Sequence, residues 1–256
     1  MSLFLTAFAV VLLSALATIG LVFLVRRYQV DNHPFIPGTD DVEGIYMVVL
    51  GALYAIFISF MIFVVWTQYY DAMLSVEQEA NTLASVYRLS SELPQPMRDQ
   101  IRQSCIDYAY TMIDNEWPAT AEGRESPEGR AVVAKMWRQF GQLNPDMVRN
   151  EVVHDHLLDQ FIQLTSLRRQ RLLMSRIGLP VILYALLVFG AVLTIIFAVL
   201  FSVDNFLIHS IKAGVLAVTV SFMLFAIWAL DSPFSGEVRV PPTAFQITLD
   251  MIKESP

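Results

Sequence analysis

The run IYMVVLGALYAIFISFMIFVVWTQYYDAMLSVEQEANTLASVYRLSSEL, residues 45–93, decides the fold of this chain. Residues 45–66 carry no charged side chain, and about 20 apolar residues in a helix cross the roughly 30 Å hydrocarbon core of a bilayer. After Gly51, neither Gly nor Pro interrupts the sequence until Pro94. The run therefore predicts a transmembrane helix that continues unbroken beyond the membrane to about Leu93.

Three further blocks have the same apolar character: residues 3–25, 180–201 and 206–230. The first block lacks a basic start and is too long for the apolar region of a signal peptide, so a cleaved leader is the weaker interpretation. The four blocks predict an all-α membrane protein with four transmembrane helices and a helical region inserted between spans 2 and 3.

Composition excludes several classes of protein. Hydrophobic residues make up 55% of the chain and charged residues 16%, whereas a soluble domain is about 45–50% apolar and about 25% charged. The net charge of −7 argues against a nucleic-acid binder. The single cysteine, Cys105, excludes a disulfide scaffold and a zinc site built from cysteines.

The inserted region, residues 67–179, is predicted to be helical. Further helices are expected over residues 97–116, 127–142 and 145–177, the last starting at the Asn144-Pro145 pair. A heptad-like apolar seam follows the second span and could help several copies to assemble. Its members are Met73, Val76, Ala80, Leu83 and Tyr87.

Basic residues near the span ends predict the orientation. Arg168, Arg169, Arg171, Arg176 and Arg239 lie on one side, against Arg26, Arg27 and Lys212 on the other. The positive-inside rule therefore places both termini, residues 67–179 and the C-terminal tail 231–256 in the cytoplasm. The predicted organisation is two spans in residues 1–66, the cytoplasmic helices, two spans in residues 180–230, and the tail. The expected location is a bacterial inner membrane, crossed several times.

No catalytic or metal site is predicted. The chain lacks the nucleotide-binding, serine-hydrolase, zinc-protease and CxxC motifs. His154 and His156 are two residues apart, so on a helix they point about 200° apart and cannot share a metal ion. The chain is expected not to be an enzyme and to need no cofactor.

Two stripes on the second span carry the functional hypothesis. Spacings of four and three residues align an apolar stripe that turns polar at its end: Leu53, Phe57, Phe60, Val64, Thr67 and Asp71. Small residues on the other side, Gly51, Ala55 and Ser59, favour close packing against neighbouring spans. The apolar stripe either faces lipid and the helix bundle or lines a pore, where apolar rings gate by excluding water.

Carboxylates flank this span on both sides. Asp40, Asp41 and Glu43 precede it, and Glu77 and Glu79 follow the Asp71 end of the stripe. In an oligomer each carboxylate becomes a ring at a pore mouth and raises the local cation concentration. Ordinary solvated charge is the competing interpretation.

Three stretches resemble the bestrophin-like membrane proteins of bacteria: WTQYYDAMLSVEQEANTLASVYRLSSELP (66–94), YAYTMIDNEWPAT (108–120) and LDSPFSGEVRVPPTAF (230–245). A more distant similarity to bestrophins implies a homo-oligomeric ion channel, pentameric in that family, with the second span lining the pore. Pro233, Phe234 and Gly236 match the family's tail motif. Only Glu237 follows it, which argues against the family's acidic calcium-binding run.

The leading hypothesis is thus an oligomeric channel that passes inorganic ions across a lipid bilayer and leans toward cations. The alternative is a membrane-anchored sensor or scaffold whose cytoplasmic helices bind a partner. The helical 67–179 region supports that alternative.

Overall fold

The computed structural model describes residues 3–32, 40–143, 151–200, 205–236 and 238–254. Over these residues the chain forms nine α-helices and no strand. They are α1 (Leu3–Asn32), α2 (Asp40–Leu89), α3 (Met97–Thr111), α4 (Trp117–Ala121), α5 (Pro127–Phe140), α6 (Glu151–Met174), α7 (Val181–Leu200), α8 (Phe206–Leu230) and α9 (Thr243–Glu254).

The long second helix is confirmed. Helix α2 runs for 50 residues from Asp40 to Leu89. A 3₁₀ turn over Ser90–Glu92 follows, and Leu93 has extended backbone before Pro94. The helix ends here because proline lacks an N–H and disfavours helical backbone in the residue before it.

Within the described residues, four helices are long and apolar enough to cross a membrane, and they coincide with the four predicted blocks as candidate spans. They cover Leu5–Arg27, Gly44–Glu92, Val181–Leu200 and Phe206–Leu230. The chain divides into two compact units, and α2 contributes to both, with the division between Trp66 and Thr67.

The first unit contains residues 1–66 and 179–231. Helix α1 packs against α7 and α8, and α7 packs against α8. The span part of α2 joins α7 and α8 through a buried core: Tyr54, Ile58, Met61, Val65, Leu187, Ala191, Val220 and Ile227.

Two polar side chains fix helix ends in this unit. The Asn205 side chain accepts hydrogen bonds from the N–H groups of Leu207 and Ile208, which caps the start of α8. Asp231, at the end of α8, accepts from the Leu179 N–H at 2.7 Å and the Tyr184 hydroxyl at 2.8 Å. Asp231 therefore connects the end of α8 to the start of α7.

The second unit contains residues 67–178 and 232–256. Its single core draws on α2, α3, α5, α6 and α9, for example through Leu83, Tyr108, Met136, Phe161 and Phe245. The predicted heptad seam packs into this core: its other members are buried, while Met73 is exposed. The seam is therefore covered by the chain's own helices and is not left free to bind other copies.

Three helix predictions differ in detail from the structure. The helix predicted over residues 97–116 leaves α geometry at Met112, where a π turn over Met112–Glu116 leads into α4. The Asn144-Pro145 start lies outside the described residues. The tail contains α9, to which the sequence interpretation gave no helix, although Phe245, Leu249 and Ile252 recur at helical spacing.

Candidate functional site

One face of α2 is buried by packing within the first unit. Tyr54, Ile58, Met61 and Val65 are buried there, and their spacings of four and three residues place them on one side of the helix. This packed face decides which other residues of the span remain uncovered by the same copy.

The predicted apolar stripe is split by this packing. Leu53 and Phe60 are 64% and 61% exposed. Phe57 and Val64 are half-buried, because they pack against the edge of the first unit's core. Thr67 and Asp71 belong to the second unit and are exposed.

Two large residues that the sequence interpretation missed lie beside Leu53 and Phe60. Ile56 is 68% exposed and Phe63 is 65% exposed. At about 100° per residue, Leu53, Ile56, Phe60 and Phe63 fall on one side of α2, opposite the packed face. We call these four residues the open face of α2. Only the tertiary contacts reveal it, because the span is apolar all round and shows no sidedness in its sequence.

Two of the three small residues predicted to pack are exposed in the single copy, and Gly51 is half-buried. Ala55 and Ser59 are exposed, and the Ser59 hydroxyl donates to the Ala55 carbonyl at 2.8 Å. A Cβ on Gly51 would meet no described atom within 4 Å. Packing to the chain's own spans is instead made by the Tyr54 face, and packing of the small residues against other copies stays a prediction.

The predicted mouth carboxylates separate into three groups. Asp71 and Glu77 are exposed on the second unit. The side chains of Asp40, Asp41 and Glu43 lie outside the described part of the structure. Glu79 was predicted to join the exposed carboxylates, but the structure places it in the core of the second unit with no exposed surface.

Glu79 is held by a buried ion pair with Arg171. The Nε of Arg171 donates to Oε2 of Glu79 at 2.7 Å, and Nη2 donates to Oε1 at 3.1 Å. The Tyr108 hydroxyl donates to the same Oε1 at 2.6 Å. Such a bidentate, charge-assisted pair is the favoured geometry for burying opposite charges.

The surroundings complete this cluster. The Arg171 guanidinium lies over the Trp117 ring, 5.0 Å from its centroid, and donates to the Thr120 hydroxyl at 3.3 Å. Burial is the largest single effect on Arg171 and lowers its pKa, but the charge and hydrogen bonds of Glu79, together with the charges of Tyr108 and Glu116, raise the pKa overall. Burial and then the charge of Glu79 raise the pKa of Tyr108 well above its ordinary value. The arginine stays charged and the phenol stays a donor.

A second buried pair involves the π turn. Arg168 donates from Nη2 to Oε1 of Glu116 at 2.8 Å and to Glu125 at 3.0 Å. The Ser126 hydroxyl donates to Oε2 of Glu116 at 2.9 Å and accepts from the Gly129 N–H at 2.8 Å, which caps α5. A Cβ on Gly129 would collide with Oε2 of Glu116, so any larger residue here would have to displace the Glu116 carboxylate from its partners.

The tail motif is a structural turn. Phe234 packs edge-on against Trp117 with ring centroids 6.0 Å apart. The Trp117 indole N–H donates to the Val240 carbonyl at 3.1 Å, and the Val240 N–H donates to the Pro233 carbonyl at 2.8 Å. Gly236 has a φ of 75°, which glycine adopts without strain. Glu237 lies outside the described residues.

Within the described ranges, no group of three His, Cys, Asp or Glu side chains is arranged to hold a metal ion. The described residues therefore offer an exposed apolar face on the span part of α2 and a buried cluster of paired charges in the second unit.

Comparison with known proteins decides the family. A family model described as the bestrophin-like domain matches residues 8–245. The chain belongs to the bestrophin-like family. None of the curated proteins matches this bestrophin-like chain.

Solved structures show the same fold. A bacterial bestrophin homologue from Klebsiella pneumoniae, carrying a single substitution, is 14% identical with a TM-score of 0.73, covering 99% of both chains. The same homologue solved by zinc phasing is 14% identical with a TM-score of 0.74, covering 97% of this chain and 99% of that one. At these identities the likeness concerns the fold of the bestrophin-like chain.

Proposed function

We propose that this chain is one subunit of an oligomeric ion channel whose pore is lined by the open face of α2. The observation that carries the proposal is this face itself: Leu53, Ile56, Phe60 and Phe63 are each more than half exposed in a copy whose other α2 side is packed. Family membership supports the proposal, because bestrophins, which the chain resembles, are oligomeric ion channels.

Several copies are needed to form the pore. Four spans in one chain are too few to enclose a wide channel, whereas copies around an axis turn each residue of the open face into a ring. Apolar rings of this kind control conduction by excluding water. Phe57 and Val64 then lie at the edge of the pore, and the small residues Gly51, Ala55 and Ser59 face a neighbouring copy. By resemblance to bestrophins the oligomer is a pentamer.

We further propose a preference for cations. Asp71 and Glu77 are exposed carboxylates that follow the span, and Asp40, Asp41 and Glu43 precede it. Rings of carboxylates raise the local concentration of cations. Glu79 is not part of this set, since its charge is paired with Arg171 in the core.

The orientation remains the one that the basic residues indicate. The exposed Arg169 and Arg176 precede the start of α7 and favour the cytoplasmic side. We therefore propose that the second unit and both termini lie in the cytoplasm of a bacterium and that the spans cross its inner membrane.

Planar-bilayer recording of the purified protein tests this function. With a salt gradient across the bilayer, the expected current reverses near the equilibrium potential of the cation. The Phe60→Ala variant should change the unit conductance, whereas Phe189→Ala, on an exposed position of α7, should leave it unchanged. A verified oligomer that stays silent across voltages, pH values and calcium levels would overturn the proposal in favour of a scaffold.

A further inference from the structure

The Tyr54 side chain of α2 reaches the backbone of α7 at Gly190. The Tyr54 ring lies against Gly190, where an added Cβ would be 2.5 Å from Cε2 and 2.6 Å from Cδ2 of the ring. Real Cβ atoms essentially never come so close to ring carbons, so residue 190 must be glycine for the two helices to keep this arrangement. Tyr54 is buried, which means that the ring fills the notch left by the missing side chain.

The Tyr54 hydroxyl is fixed one turn earlier on α7. It donates to the Leu187 carbonyl at 2.8 Å, and Leu187 is itself buried. Leu187 and Gly190 are three residues apart and so lie on the same side of α7. The Thr194 hydroxyl donates to the Gly190 carbonyl at 2.8 Å, so the carbonyl beside the Tyr54 ring also has a hydrogen-bond partner. The ring and the hydroxyl of one side chain are thus held at two points along α7.

A two-point contact opposes rotation of α2 about its axis. Helix neighbours differ by about 100° in direction, so a rotation by even one residue would take the Tyr54 ring out of the notch. The rest of the packed face, Ile58, Met61 and Val65, is apolar and has no directional partner among the hydrogen bonds of the described residues. The tyrosine is therefore the one oriented contact on that face.

We propose that the contact between Tyr54 and Gly190 sets the rotation of α2 and thereby decides which residues form the open face. Tyr54 and Gly190 are then positioning residues for ion conduction, and they act without touching the ion path. This inference rests on the proposed function for its role in conduction, but the rotational claim itself can be tested without any current.

The test reads the accessible side of α2 by thiol labelling in the membrane. Single cysteines are introduced at Phe60, on the open face, and at Ile58, on the packed face, and are labelled with a charged, water-soluble thiol reagent. The parent chain is the blank, because Cys105 is buried and burial raises the pKa of its thiol. In the wild-type background position 60 should label and position 58 should not.

The Gly190→Ala change should alter this pattern. Overpacking of this size is expected to shift the balance between the native and a rotated helix by roughly ten-fold or more. Labelling should fall at position 60 and rise at position 58. Gly214→Ala on α8 is the matched control, because a Cβ there meets no described atom within 4 Å. An unchanged labelling pattern in Gly190→Ala would overturn the inference.

A second variant covers the case in which Gly190→Ala fails to assemble. Combining it with Tyr54→Leu removes the ring that the new methyl group would strike. This double variant lacks the oriented contact, so labelling should no longer be confined to position 60 and should also appear at position 58. A wild-type labelling pattern would show that α2 keeps its rotation without Tyr54 and would overturn the inference. If the wild type labels as expected yet never conducts, the proposed channel function falls while the positioning contact stands.

Discussion

The Nε of Arg171 donates to Oε2 of Glu79 across 2.7 Å, and neither side chain has exposed surface. The two residues are 92 positions apart in the sequence. Their bond joins α6 to the part of α2 that belongs to the second unit. Tyr108 and Trp117 complete the surroundings. The second unit is therefore organised around a charge pair fixed to the same long helix that forms the second span.

Removing one member of this pair should be costly. Arg171→Met leaves Glu79 buried without its counter-charge, and breaking a buried pair in this way costs about 3–5 kcal/mol. The unfolding temperature of the purified protein should fall strongly. Arg169→Met, two residues earlier on the exposed side of α6, is the matched control and should change it little. Equal stability of the two variants would show that the pair is not needed.

Gly129→Ala should destabilise the second unit. The new methyl group would collide with Oε2 of Glu116 and displace it from Ser126 and Arg168. A loss of about 1–3 kcal/mol is expected from overpacking, with more if Glu116 loses its hydrogen bonds. Gly20→Ala on α1, where a Cβ meets no described atom, is the comparison. Thermal unfolding distinguishes the two, and a neutral Gly129→Ala would contradict the close approach.

Stability should depend on pH through Glu125. The hydrogen bond from Arg130, and further contacts with Arg168, hold the pKa of Glu125 below its ordinary value. A carboxyl group whose pKa is lower in the folded chain stabilises it above the unfolded pKa, about 4.3 for Glu, and loses this effect as the pH falls. Wild type should therefore exceed Glu125→Gln in unfolding temperature at neutral pH.

That difference should shrink as the pH falls through about 4. Glu128→Gln, which removes an exposed carboxylate three residues along the chain, serves as the control. A difference between wild type and Glu125→Gln that stays constant with pH would mean that the Arg130 and Arg168 contacts do not act through the charge of Glu125.

Ion selectivity should depend on Asp71. If carboxylate rings concentrate cations, Asp71→Asn should move the reversal potential in a salt gradient toward zero, and Glu77→Gln should act in the same direction. Asp114→Asn changes an exposed carboxylate that follows α3 and should leave the reversal potential unchanged. A cation preference that survives the loss of both Asp71 and Glu77 would contradict their role.

The sequence was sufficient for the long apolar helices and insufficient for α9, for the π turn at Met112–Glu116 and for the contacts between helices. An uncharged run and a distant Pro94 predict α2 because helix formation and termination depend on neighbouring residues. The partners of Glu79 and Tyr54 could not be predicted, since Arg171 and Gly190 are far away in the chain. Arg168 and Arg171 were also counted as basic residues when the membrane orientation was predicted. Both are buried in ion pairs, which the sequence alone does not reveal.

The same limit applies to the pore hypothesis. Helical spacing predicted a pore-lining stripe through Phe57 and Val64. In a span that is apolar all round, several other stripes have the same spacing and the same apolar character. The choice depends on which side the other helices cover. Ile56 and Phe63 enter the open face only because Tyr54, Ile58, Met61 and Val65 are packed.

The most direct test of the central claim is modification of a cysteine at Phe60 during bilayer recording. If the open face of α2 lines the ion path, a charged thiol reagent added to Phe60→Cys channels should reduce the current, while Phe189→Cys channels on α7 should be unaffected. A conducting Phe60→Cys channel whose current does not change, although its thiol is shown to be labelled, would contradict the account.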